Sequence, residues 1–86
     1  MEKKIRVQFV LIESIGKFAN AASNSICSID LQSDRHIIDG KSLLGIYSLN
    51  LSNPVTVVIS APEDTEKYVE SANKFINEIK DIIIDD

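Results

Sequence analysis

At 86 residues the chain is long enough for one domain, 1–86, with a modest core. A hydrophobic fraction of 44% excludes wholesale disorder, and a net charge of −4 argues against nucleic acid and anionic membrane surfaces as partners. Cys27 stands alone, so an intramolecular disulfide is excluded; near Ile26 and Ile29 it reads as a small core residue.

Met1-Glu2-Lys3-Lys4 is charged, and no apolar run of signal-peptide length follows it. No run reaches the ~18 residues that span a bilayer, so a cytoplasmic location is expected. Lys4 to Ile12 alternates early, with Ile5, Val7, Phe9 and Leu11 on one face and Arg6 and Gln8 on the other. That is the pattern of a half-buried strand. Val10 and Ile12 make its far end apolar on both sides.

Ser14 is a candidate N-cap for the next element. Ile15, Phe18, Ala19, Ala22 and Ile26 recur at helical spacing, and the helix is expected to end near Asn24 or Ser25. Gly16 and two Asn residues weaken its intrinsic propensity, so it must lean on packing.

Ser28 to Gln32 reads as a short strand with Ile29 and Leu31 on one face. Ser33-Asp34 is a turn pair, and Arg35 to Asp39 is the return strand of a hairpin. Gly40 serves the next turn, and Ser42 caps a short helix with Leu43, Leu44, Ile46 and Tyr47 spread around it. Val55 to Ile59 is nearly all β-branched, which predicts a central strand or one buried on both faces.

Ala61 to Glu66 reads as a helix start, with Pro near the first turn and three acids that complement the helix dipole. Tyr68, Val69, Ala72, Phe75, Ile76, Ile79 and Ile83 then follow the 3.6 period, predicting one long amphipathic helix. Asp85 and Asp86 are poorly placed for the dipole, so the tail is expected to fray. The order β-α-β-β-α-β-α predicts an α+β two-layer sandwich with one sheet face partly open.

Chemistry-bearing patterns are sparse. There is no Ser/His/Asp or Cys/His constellation and no Gly-rich phosphate loop, so an independent enzyme is not expected and no cofactor is implied. His36, the one histidine, lies beside Arg35 with no clustered ligands, which argues against a metal site. It reads as a surface strand residue, with a relocated phosphorylation site as the sharper alternative.

Asp39-Gly40-Lys41-Ser42-Leu43-Leu44-Gly45-Ile46, followed by Leu49 and Leu51, resembles the Lys-Ser-(Ile/Leu)-(Met/Leu)-x-(Ile/Leu) signature of the HPr family, the phosphocarriers of the bacterial sugar phosphotransferase system. The element order and length are similar as well. The resemblance implies an open-faced sandwich of four antiparallel strands with three helices on one face. It makes Ser42 a candidate for regulatory serine phosphorylation, and Leu43, Leu44 and Tyr47 candidates for docking enzyme I, the HPr kinase or a regulator. Plain core packing is the competing reading of those three.

The family's carrier loop, Gly-Leu-His-Ala-Arg-Pro-Ala, has no counterpart here. Between Ile12 and Phe18 the chain has Glu13-Ser14-Ile15-Gly16-Lys17, in a loop shorter by about one helical turn. In the family the phosphate sits on an imidazole at a helix N-terminus, where backbone N–H groups and an Arg hold it. Glu13 would repel it. The resemblance therefore implies a regulatory or interaction module without histidine phosphocarrier activity, as a monomer or weak dimer. Two rivals remain: a phosphocarrier using His36, and a small α+β adaptor unrelated to sugar transport.

Overall fold

The computed structural model describes residues 1–85. The elements are β1 (Glu2–Val7), α1 (Ile12–Ser23), β2 (Ser28–Ser33), β3 (His36–Asp39), α2 (Leu43–Tyr47), β4 (Val55–Ser60), α3 (Glu66–Glu78), a 3-10 turn (Lys80–Ile82) and β5 (Ile83–Asp85). The strands form one sheet in the order β3-β2-β4-β1-β5, with every pairing antiparallel.

The β-branched run of β4 lies at the centre. Val57 pairs with Ile5 on one side and Leu31 on the other, which sets a row of apolar side chains across three strands. Ile5, Val7, Ile29, Leu31, Val57 and Ile59 are buried on the face that carries the helices. Lys4, Arg6, Asp30, Gln32 and Thr56 alternate onto the other, open face, where Val58 is also buried. Phe18 of α1 is fully buried between Phe9 and Phe75, edge-on to both at centroid distances of 5.4 and 5.3 Å. Such edge-to-face pairs contribute about 1 kcal/mol each beyond their burial.

Several boundaries differ from the sequence expectation. Strand β1 ends at Val7, not Ile12. Beyond it, the Gln8 N–H donates to the Ile82 carbonyl at 2.9 Å, and the Gln8 side chain donates to the Leu51 carbonyl at 3.1 Å. These bonds turn the chain, send Phe9 into the core and leave Val10, Leu11 and Ile12 at the surface. Ser14 is not the cap of α1. Leu11 occupies the N-cap with extended backbone, and Ser14 already lies within the first turn, its N–H bonded to the Leu11 carbonyl at 3.0 Å.

Helix α3 begins at Glu66 after the N-cap Thr65, later than Ala61-Pro62 suggests. The reason is that Ala61 still belongs to the sheet ladder, exchanging hydrogen bonds with Met1. Strand β3 begins at His36, because Asp34 takes a left-handed φ of 53° and Arg35 completes the turn.

The largest difference lies at the C-terminus. The helix stops at Glu78, and Ile79 leaves helical geometry. The 3-10 turn buries Ile82, and Ile83–Asp85 add a fifth strand beside β1. Ile82-Ile83-Ile84 is a β-branched run, which favours strand over helix. The tail is tied at Asp85, which binds Arg6 through Nε at 2.9 and 3.1 Å. Asp86 lies outside the described residues.

Candidate functional site

Helix α2 is only five residues long, so it relies on its caps. Ser42 is extended at φ −97° and ψ 104°, and its Oγ accepts the Gly45 N–H at 3.1 Å. The Ser48 Oγ closes the other end by donating to the Gly45 carbonyl at 2.6 Å. Asp39 braces the entry, its carbonyl accepting from the Ser42 N–H and its carboxylate from the Lys41 N–H. The Lys41 ammonium reaches across to the Ser25 carbonyl at 3.2 Å. Ser42 is exposed, so its hydroxyl is reachable while it caps the helix.

Of the apolar residues of α2, only Ile46 is buried. Leu44 is 81% exposed, and Leu43 and Tyr47 also face solvent. Gly45 explains how so small a helix sits so close to the sheet. A β-carbon there would come within 2.6 Å of Ile38 Cγ2, so Gly permits the close approach of α2 to β3.

The start of α1 lies in the same part of the molecule. α1 packs against α2, and the Gln8 side chain ties the loop before α1 to the connector after α2. That loop and the first residue of α1 expose three consecutive apolar side chains, with Val10 at 77% and Ile12 at 76%. The sequence pattern misses them as surface residues because they continue the apolar strand of β1. The available signal was the break in alternation, four apolar residues from Phe9 to Ile12 ahead of Glu13.

The N-terminus of α1 presents Leu11 as cap, then Ile12 and Glu13. Glu13 stands where an incoming anion would need positive charge. His36 is exposed at the start of the edge strand β3, opposite Ser33. It is in a different element from both helix starts. Cys27 is buried, its thiol donating to the Tyr68 carbonyl at 3.4 Å. Among the described residues no group of three or more His, Cys, Asp or Glu could hold a metal ion. A recess between α1 and α3, lined by Ser25, Ser71 and Phe75, has a volume of about 10 Å³, room for one water molecule and far below that of small-molecule sites. Ser25 and Ser71 use it to share a hydrogen bond at 2.9 Å.

The family model for the PTS HPr component phosphorylation site matches residues 13–79. This chain belongs to the HPr family. Solved structures agree on the fold. HPr-C-His from Thermoanaerobacter tengcongensis is 24% identical, covers 93% of this chain and 91% of its own, and superposes with a TM-score of 0.66. A histidine-containing phosphocarrier protein of Mycoplasma is 12% identical over 98% of this chain and 99% of that one, with a TM-score of 0.70. Phosphocarrier protein HPr from Bacillus anthracis str. Ames is 17% identical over 91% and 94%, with a TM-score of 0.62. No curated protein matches the sequence. The HPr-like sandwich thus carries three helices on an antiparallel sheet, with the fifth strand β5 beside the four that the resemblance implies. Among the described residues no helix is long and apolar enough to cross a membrane.

Proposed function

We propose that this HPr-family chain is a regulatory or interaction module of the phosphotransferase system and does not carry phosphate on histidine. One observation carries this reading: the N-terminus of α1 is Leu11-Ile12-Glu13. A phosphoimidazole needs a histidine there, and its dianion needs donors and a cation. This helix start offers an apolar surface and a carboxylate instead.

The positive role falls to α2 and the loop before α1. Ser42 is the proposed phosphorylation site, and Leu43, Leu44 and Tyr47 the proposed docking residues. A phosphate on Ser42 would sit at a helix N-terminus, where the backbone dipoles favour negative charge. The proposed partners are enzyme I, the HPr kinase or a regulator of the same system, in the cytoplasm. No catalytic step is assigned to the chain itself.

The test is intact mass after incubation with HPr kinase and ATP, beside a Ser42→Ala control and a genuine HPr. A phosphate-sized gain that the control loses supports the regulatory reading. A gain from enzyme I and phosphoenolpyruvate, lost in His36→Ala, would overturn it and make the chain a carrier. No gain in either assay would leave Ser42 as a helix cap.

A further inference from the structure

Ser25, Ile26 and Cys27 join α1 to β2 in neither helix nor strand, so their polar atoms must find partners elsewhere. The Ile26 N–H donates to the Ser71 Oγ of α3 at 3.1 Å, and the Cys27 N–H donates to the Ser25 Oγ at 3.2 Å. The Ser25 carbonyl accepts from the Lys41 ammonium. Among the described residues Ser25 is the one polar residue that is buried. A buried carbonyl that loses its donor is destabilising, so Lys41 braces the junction of α1, α3 and β2 from the entry of α2.

Lys41 is held there weakly for a full charge. Among the described residues the ion pairs are Arg6 with Asp85 and Lys17 with Asp81, and no carboxylate pairs with the Lys41 ammonium. Its partner is a neutral oxygen. An ammonium binds a phosphate more strongly than a carbonyl, because both partners are then charged. Lys41 directly precedes Ser42 and is the only Lys or Arg between Arg35 and Lys67. A phosphate on Ser42 would bring close to two negative charges to a turn where the Asp39 carboxylate already accepts the Lys41 N–H. Adjacent α-carbons are about 3.8 Å apart, and the flexible lysine stem can carry the ammonium across that distance.

We propose that Lys41 is the arm of a phosphoserine switch. With Ser42 unmodified, the ammonium holds the Ser25 carbonyl and ties α2 to the junction of α1 and α3. With a phosphate on Ser42, the ammonium moves to the phosphate and the Ser25 carbonyl loses its donor. The phosphate can drive this change because it gains Lys41 only in the released state. The proposal rests on Ser42 as the modified residue and adds the consequence: charge placed on α2 is read at Ile26 and Cys27.

Amide hydrogen exchange of the full chain, with Ser42 phosphorylated by chemical synthesis, tests the switch without any kinase. Exchange at Ile26 and Cys27 is expected to be roughly two- to fivefold faster than in the unmodified chain, the range over which an exposed ion pair shifts an equilibrium. Unmodified Lys41→Met shows the same acceleration, and phosphate on Ser42 adds nothing to it. Lys41→Arg keeps the charge and responds to phosphate as the wild type does. Val57 and Ile59 of the central strand keep their protection throughout, which separates local release from global unfolding. Unchanged exchange at Ile26 and Cys27 on phosphorylation overturns the proposal. So does Lys41→Met exchanging like the wild type, or a phosphate effect that survives Lys41→Met. A chain that HPr kinase leaves unmodified, but whose synthetic phosphate loosens Ile26 and Cys27, fails the proposed function and keeps the switch. A chain that the kinase modifies, with both amides unmoved, does the reverse.

Discussion

Gly45 stands so close to Ile38 that a β-carbon on it would lie 2.6 Å from Ile38 Cγ2, and 3.1 Å from the Oγ of Ser42. Two effects oppose each other at this position. Gly→Ala in a helix ordinarily stabilises by about 1 kcal/mol. Overpacking ordinarily costs about 1–3 kcal/mol. Ile38 is β-branched and half-buried, so its methyl has little room to swing aside. Overpacking should win, and Gly45→Ala should lower stability by about 1 kcal/mol net. Urea unfolding checks this, with a lower midpoint at an unchanged slope. A higher midpoint would mean that α2 rides outward freely and that Gly45 is not a packing requirement.

Ser42 separates capping from modification. Ser42→Ala removes the acceptor for the Gly45 N–H and should cost about 1 kcal/mol. Ser42→Asp keeps an acceptor and adds a negative charge at the helix N-terminus, which the dipole favours. It should recover most of the loss. Amide exchange at Gly45 and Ile46 reports the local effect, with fast exchange in the Ala variant and protection in the Asp variant. If Asp protects no better than Ala, something other than the cap holds this five-residue helix.

The legible parts of the fold were those where a single period runs without interruption. Val55 to Ile59 and the stripe from Tyr68 to Ile76 could be placed directly because burial of one face dictates their spacing. Ser42 was legible because a cap is a local device, decided within three residues. Strand β5 was not, because Ile83 fits both the helical stripe of α3 and a strand, and only pairing with Val7 decides between them. Leu11 was hidden for a similar reason. Its place in the alternation of β1 was overruled by two hydrogen bonds of Gln8 to Ile82 and Leu51, both distant in sequence. The same long-range contacts leave Val10 and Ile12 exposed. The candidate residues on α2 were therefore visible in sequence, and the exposed apolar residues at the start of α1 were not.

Phe18 links three layers of the core, and its loss should be felt everywhere. Its ring meets Phe9 and Phe75 edge-on, and it lies beneath Gly40, whose β-carbon position is only 3.3 Å from its Cε1. Phe18→Ala removes both aromatic pairs and leaves a cavity among fully buried neighbours, at a cost of about 3–5 kcal/mol. Small domains are stable by about 5–15 kcal/mol, so the variant should be partly unfolded near 37 °C. Phe18→Leu keeps most of the volume and should cost less than half as much. Thermal unfolding by circular dichroism orders the three proteins. Near-equal midpoints would mean that the core relaxes around this site instead of depending on it.

Arg6 and Asp85 set the behaviour of the added strand. The guanidinium binds both carboxylate oxygens, yet both side chains are about half exposed, so the pair adds little to global stability. Its effect should be local. The Arg6 pKa is raised, first by the hydrogen bond to Asp85 and then by its charge. A raised pKa means that the contribution is fully present below the unfolded value and is lost only as pH climbs through the folded one. Deprotonation of Arg6 therefore cannot release β5 anywhere between about pH 5 and 9, since arginine stays protonated throughout that range. Screening can. Asp85→Asn, or wild type in high salt, should leave the urea midpoint unchanged while the amides of Ile83 to Asp85 lose protection from exchange. The Gln8 N–H, bonded to the Ile82 carbonyl, should keep its protection because that bond does not depend on the ion pair. If Gln8 opens together with Asp85, the ion pair holds the whole C-terminal strand and the 3-10 turn as one unit.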